Sequence, residues 1–227
     1  MRIRSFIIAY VLVLAILLFA DRRPGSTQQD HYSHVVDLTD GENATAPHAV
    51  PHSATPESRT RIIAPGALIP GTWTAGQIPA ERLVAPLVVI DLNAALDPGS
   101  QISLDDIAAW ETRHGMIPQG SVVAIRQAAA VAGRRMNDSP PVPLPIARDA
   151  AQFLIEARYA IGFAVETPVD LASDRLLAQQ LALHVSYVVE RTAPFAALPA
   201  TGSLVIVAPA KDKKPGAAHV RILAMVR

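Results

Sequence analysis

The stretch that decides the fold covers residues 57–92 and reads ESRTRIIAPGALIPGTWTAGQIPAERLVAPLVVIDL. Near its end, Leu-Val-Val-Ile at residues 87–90 is a short apolar run of the kind found in buried strands, and Pro86 lies just before it. We therefore predict a buried strand over residues 88–92. The start of the stretch, residues 57–67, mixes charged and apolar residues and bears on function more than on the core.

Helices and strands alternate after this strand. The clearest helix covers residues 104–114, because Ser103 can cap its start and Gly115 can cap its end. The other predicted elements are strands at 121–126, 160–165, 185–190, 203–209 and 219–226, helices at 146–158 and 174–184, and a short turn or helix at 193–198. This alternation predicts a single mixed α/β domain.

Composition excludes several classes of protein. The chain has 227 residues and equal numbers of acidic and basic side chains, so its net charge is zero. A nucleic-acid-binding protein would carry a basic excess, and we predict no nucleic-acid partner. The chain has no cysteine, which rules out disulfides and thiolate metal sites.

The N-terminus has the pattern of a leader. Arg2 and Arg4 precede an unbroken apolar run at residues 6–20. A helix of that length spans about 22 Å, less than the ~30 Å hydrocarbon core of a bilayer, so it fits a long secretory signal or a short membrane anchor. A helix buried in a soluble protein is the third interpretation. We predict an exported protein, membrane-anchored, periplasmic or secreted, with a signal or membrane-anchor helix at 1–23, a linker at 24–34 and one domain at 35–227.

Histidines cluster in the polar segment that follows, at positions 31, 34, 48 and 52. His48 and His52 are four residues apart, a spacing that suits a metal site on a helix. Pro47 and Pro51 disfavour a helix there, so solvated linker histidines are the simpler interpretation. An apolar patch at residues 34–39 is a candidate strand.

Several short motifs follow one another in a distinctive order. They are Asp37-Leu38-Thr39, Ile78-Pro79, Val89-Ile90-Asp91, Trp110-Glu111-x-x-His114-Gly115-x-Ile117-Pro118-x-Gly120, Ile161-Gly162, Val189-Glu190, Leu198-Pro199-x-Thr201-Gly202 and Ala208-Pro209. Their order over residues 35–226 resembles the cyclase family, which includes the bacterial kynurenine formamidases. The resemblance implies mixed β-sheets packed with helices in a compact barrel-like domain, a homodimer, and metal-dependent hydrolysis of amides of the arylformamidase type.

The family's chemistry depends on a stretch of the form His-x-Gly-Thr-His-x-Asp-x-Pro-x-His, in which two histidines and the aspartate hold a divalent metal that activates water. An ungapped alignment places this stretch on residues 57–67. Only Thr60 and Pro65 match. Arg61 replaces a ligand histidine by a permanent cation, and Ile63 replaces the ligand aspartate. The remaining two histidine positions carry Glu57 and Ala67.

A second alignment uses His48, His52 and Pro56 instead. It requires an insertion before Ile69 and still lacks the aspartate, because Ala54 lies at that position. The ligand set is incomplete in both alignments.

The part of the family's site that comes later in the sequence is also incomplete in this chain. Glu190 matches the family's glutamate, whereas the matching histidine position carries Ala178. Glu166 lies where the family has an aspartate after its central strand. The resemblance therefore suggests a remnant pocket made of Glu57, Thr60, Arg61, Pro65, Glu166 and Glu190. Ordinary strand-end carboxylates are the alternative interpretation of the two glutamates.

Two hypotheses about function follow. The first is an exported, non-catalytic family member, a pseudoenzyme without a metal cofactor, that binds an unknown small molecule or a partner. The second is an active metal-dependent amidohydrolase with an altered set of ligands to zinc or manganese, such as His48, His52 and Glu190. Loss of the carboxylate that holds the metal favours the first.

Overall fold

The structure is a computed structural model that describes residues 32–40, 59–92, 100–127, 140–211 and 214–227. The predicted leader, His48, His52 and Glu57 lie outside these residues. The described residues belong to one compact unit, Tyr32–Arg227. Within them, every helix is too short or too polar to cross a membrane.

Eight strands and four α-helices make up the described part of the chain. The strands are β1 (His34–Asp37), β2 (Arg61–Ile63), β3 (Val84–Leu92), β4 (Val122–Gln127), β5 (Gly162–Val165), β6 (Tyr187–Glu190), β7 (Ser203–Pro209) and β8 (Ala217–Val226). The helices are α1 (Pro65–Leu68), α2 (Leu104–His114), α3 (Arg148–Ala157) and α4 (Arg175–Leu183), with short 3-10 turns at Ala75–Gln77, Ala80–Arg82, Leu171–Ser173 and Phe195–Ala197.

The strands close into a barrel. Strands β3, β4, β5 and β6 run parallel to one another in that order. Strand β2 joins β6 to β8, and β7 joins β8 back to β3, all by antiparallel pairing. Strand β1 adds to β8 outside this ring. The predicted α/β fold, with a mixed sheet closing into a compact barrel packed with helices, is confirmed.

Apolar side chains cover the inner face of the barrel wall and the outer face of strands β3 to β6. Ile62, Tyr187 and Val189 belong to the core inside the barrel. Their neighbours along the chain, such as Val188, belong to a second core between the wall and α2, α3 and α4. Because successive side chains of a strand point to opposite faces, strands β3 to β6 contribute to both cores, whereas β7 and β8 contribute only to the inner one.

Local signals locate some elements better than others. Helix α2 has the predicted bounds, since Ser103 and Asp106 form the capping box and Gly115 adopts φ 87° at the end. Strand β3 starts at Val84, four residues before the predicted start, because its first residues pair with β7. Strand β6 starts at Tyr187, two residues late, because Val185 adopts φ 57° and leaves the extended conformation.

The Trp110–Gly120 motif has a structural role, because its side chains join helix α2 to neighbouring elements by hydrogen bonds. Trp110 Nε1 donates to the carbonyl oxygen of Val89 at 2.9 Å, which fixes α2 on β3. The Glu111 carboxylate accepts from the backbone N–H of Ile117 at 2.9 Å and from Arg158 Nε and Nη2 at 2.7 and 2.8 Å. These contacts tie the end of α2 and the end of α3 to the loop that enters β4.

We expect the E111Q variant to lose about 2 kcal/mol of stability at pH 7, the usual scale for a hydrogen-bonded charge. The hydrogen bond from Arg158 lowers the pKa of Glu111, burial opposes this, and the Ile117 N–H adds to the lowering. A carboxyl with a lowered folded-state pKa stabilises the protein above its unfolded pKa of about 4.3, and that stability disappears as pH falls through the folded-state value.

Urea unfolding at pH 7 and pH 3 measures the effect, and the difference between E111Q and the parent should shrink at pH 3. Arg221→Gln is the matched control, because the ion pair of Arg221 with Asp37 is exposed and contributes little. An E111Q penalty that is equal at both pH values would contradict the assignment.

Candidate functional site

The central contact of the site joins β2 to β6. Arg61 lies opposite Glu190 in the antiparallel ladder. Its Nε and Nη2 atoms both donate to Glu190 Oε1, at 3.0 and 2.6 Å. The other carboxylate oxygen, Oε2, accepts from the backbone N–H of Val169 at 2.7 Å. Both oxygens of Glu190, a residue only 1% exposed, are therefore engaged within the protein.

This contact lies on the outer face of the barrel wall. Val188 belongs to the outer core, and Glu190, two residues later in β6, has its carboxylate bonded to Val169 of the same core. In β2, Ile63 packs against the outer core while Ile62 belongs to the inner one. Arg61 and Ile63 therefore share the face of Glu190, as the first alignment of the metal motif requires of its ligand positions.

A histidine that the sequence analysis did not select completes the row. Strand β8 pairs with β2 on the side away from β6, and His219 is the partner of Arg61 there. Glu190, Arg61 and His219 thus form one row across three strands, which we call the outer row. No local signal marks His219, because its position depends on a pairing between two distant parts of the chain.

Thr60 and Pro65 lie close to the outer row in the chain, but their contacts stabilise the backbone around β2. The Thr60 hydroxyl donates to the carbonyl oxygen of Arg191 at 2.6 Å and accepts from the N–H of Asp40 at 2.7 Å. Pro65 is buried at the first position of α1, where proline needs no hydrogen-bond donor. These two matches to the family motif thus position β2 and the turn after it.

Glu166 lies on the other side of the wall. Its carboxylate accepts from the N–H of Phe195, a residue of the inner core, at 2.7 Å. Burial raises the pKa of Glu166, and the Phe195 N–H and the charge of Arg126 partly offset that rise. The structure does not bring Glu166 together with Glu190, so the two carboxylates do not share one pocket.

Charged residues close the barrel at the same end as Glu166. Arg126 pairs with Asp91 on the neighbouring strand and donates to the carbonyl oxygens of Phe195 and Leu198 at 3.2 and 3.1 Å. The Leu198–Gly202 motif therefore lies beside β3 and β4, where the N–H of Val89 also donates to the carbonyl oxygen of Ala200 at 2.9 Å. The interior of the barrel is filled by apolar side chains, whereas Arg61 is partly exposed and His219 is exposed on the outer face.

The described residues do not fit a divalent metal. Arg61 and Ile63 cannot donate an electron pair to a cation, and the charge of Glu190 is already matched by a guanidinium 2.6 Å away. In the ungapped alignment, Ala67 and Ala178 stand at two further histidine positions of the family's site. Within the described ranges, His, Asp and Glu side chains nowhere gather in a group of three or more that could hold an ion.

Comparison with known proteins identifies relatives of this chain. The family model described as "Putative cyclase" matches residues 26–169. An isatin hydrolase from Roseibium aggregatum is 28% identical over 167 residues, which is 64% of this chain and 61% of that protein. The chain thus matches about three fifths of the length of that relative.

Solved structures of two relatives share the fold. Isatin hydrolase A from Ralstonia solanacearum superposes with a TM-score of 0.67 at 25% identity, covering 86% of this chain and 92% of that one. Isatin hydrolase A from Labrenzia aggregata, bound to benzyl benzoate, gives 0.65 at 26% identity, covering 85% and 93%.

Proposed function

Because this chain belongs to the cyclase family, we propose that it is a member that has lost metal-dependent amide hydrolysis and uses the outer row to bind a ligand. The observation that carries the proposal is the ion pair between Arg61 and Glu190. In the ungapped alignment, both partners of this ion pair fall on positions that hold the metal in the family motif, and both lie on the outer face of the barrel wall.

The physical argument starts from what a metal-activated hydroxide requires. The ion needs about three protein ligands and one open position. In this chain a permanent cation occupies one ligand position, and it would repel the ion. Releasing Glu190 from Arg61 would leave a buried carboxylate unpaired, which costs about 3–5 kcal/mol before any metal binds.

The second candidate function is hydrolysis with an altered metal set. The relatives named isatin hydrolases favour it, since this chain shares their fold at 25–28% identity. In that case His48, His52 and Glu190 would hold zinc or manganese, and a cyclic amide such as isatin or an N-formyl amide would be the substrate. Glu190 would first have to leave Arg61.

Metal analysis and activity assays separate the two candidates. We expect protein purified without chelator to contain far less than one zinc or manganese per chain, and to hydrolyse neither isatin nor N-formylkynurenine when these metals are added. The double variant R61H/I63D, which restores two ligand types beside Glu190, should bind zinc more tightly than the parent. Near-stoichiometric metal in the parent, with turnover that His48→Ala and His52→Ala abolish, would overturn the proposal.

Two further proposals concern location and assembly. The apolar run at residues 6–20 behind Arg2 and Arg4 supports export, and a fusion at the C-terminus to a reporter active only outside the cytoplasm would stay silent if the protein is not exported.

Exposed apolar side chains such as Leu176 and Leu183 on α4 support a homodimer. Light scattering that gives the monomer mass would refute the dimer.

A further inference from the structure

We propose that the outer row binds a small carboxylate with an apolar body, through Arg61 and His219. This inference rests on the proposed function, because it assumes that Arg61 has replaced a metal ligand and that the outer row binds a ligand in place of the metal. A site that holds a metal attracts electron-rich groups through a cation. An arginine at the same place offers planar N–H donors, which suit a carboxylate, while Glu190 balances its charge.

Arg61 is both anchored and accessible. Glu190 accepts from Nε and Nη2 and so fixes the plane of the guanidinium. Among the described residues, Nη1 has no acceptor, and 26% of the side chain is exposed. The buried partner holds one edge of the guanidinium, while part of the Arg61 side chain remains exposed to solvent. Less rotamer entropy is then lost when a ligand binds.

His219 supplies a second donor from the neighbouring strand. Residues directly opposite each other in an antiparallel pair have Cβ atoms about 5 Å apart, so the imidazole starts close to Arg61, on the side of β2 opposite to Glu190. His219 is exposed, and an imidazole N–H can donate to one carboxylate oxygen while Arg61 donates to the other. The exposed Arg59, just before β2, adds positive charge on the approach.

Apolar residues adjoin these donors on the same face. Ile63 lies two residues after Arg61 in β2 and is half-buried. Its partner in β8 is the exposed Ala217, two residues before His219. A ligand whose carboxylate meets Arg61 and His219 can therefore rest its body on Ile63 and Ala217. This arrangement favours an aromatic or branched carboxylate over acetate or inorganic phosphate.

The test titrates the full-length protein with benzoate in the presence of EDTA, and follows the Arg61 Nε–H resonance together with the heat of binding. Benzamide is the neutral control of the same shape. We expect saturable binding of benzoate that R61K weakens about tenfold or more through loss of the planar donor fork. H219A should weaken it about threefold to tenfold, whereas benzamide should not bind.

Arg221→Lys is the matched control, because Arg221 lies on the same strand and face as His219 but pairs with Asp37. It should leave benzoate binding unchanged. Benzoate binding that is absent, equal to that of benzamide, or insensitive to both R61K and H219A would overturn this inference alone if the protein is metal-free and inactive. Benzoate binding that appears only with added zinc or manganese would overturn the proposed function as well.

Discussion

Replacing Gly162 by alanine should destabilise the protein by at least about 3 kcal/mol, at the upper end for overpacked cores. A Cβ atom at this position would lie 2.5 Å from Cε2, 2.7 Å from Cδ2 and 2.9 Å from Cζ of Tyr187. Gly162 and Tyr187 are partners in the parallel ladder between β5 and β6, so the clash falls inside the barrel wall.

Moving the ring of Tyr187 aside would cost stability, because the ring is buried and hydrogen-bonded. Tyr187 is 1% exposed and packs in the inner core, and its hydroxyl donates to the carbonyl oxygen of Arg82 at 2.9 Å. Shifting the ring would break that bond or displace neighbouring core residues in an interior that is close-packed. The strand must therefore separate from its neighbour or the ring must leave its site.

Urea denaturation of G162A measures this loss. The double variant G162A/Y187L is the matched control, since a smaller side chain at position 187 makes room for the methyl group. We expect the second substitution to cost much less in the G162A background than in the parent, a coupling typical of residues in contact. G162A within 1 kcal/mol of the parent would show that the ring and the strand do not pack as described.

Replacing Arg61 or replacing Glu190 breaks the same ion pair, but the two replacements should lower the stability of the protein by different amounts. R61M leaves the carboxylate of Glu190 buried with the Val169 N–H as its described remaining donor, and we expect a loss of about 3 kcal/mol. E190Q leaves Arg61 at a position where it already reaches solvent, and the glutamine can still accept from Val169. Its expected cost is therefore smaller, about 1 to 2 kcal/mol.

Removing both charges should restore much of the stability. The R61M/E190Q double variant leaves no uncompensated buried charge, so its loss should be smaller than the sum of the single losses. Chemical denaturation of the four proteins at one pH gives the coupling energy. An R61M loss no larger than that of E190Q, or additive losses, would contradict the view that the buried carboxylate depends on the guanidinium.

Much of the fold could be predicted because its signals are local. Helix α2 carries its own start and stop, and apolar β-branched runs mark most strands within a few residues. Strand β2 was not predicted as a strand, since three residues give no periodic pattern and its partners lie far away in β6 and β8. The ordered family motifs were sufficient to predict the family.

The sequence by itself predicted, from order and spacing alone, that Arg61, Ile63 and Glu190 occupy ligand positions of a cyclase-family motif, and it left a second alignment on His48 and His52 open. Only the tertiary structure decided which of the polar residues meet. It placed Glu190 and Arg61 together, brought His219 beside them, and put Glu166 on the opposite face. The physical reason is that both faces of strands β3 to β6 are buried. Strands with two apolar faces show no polar–apolar alternation, so the chain alone does not reveal which side a strand-end carboxylate faces.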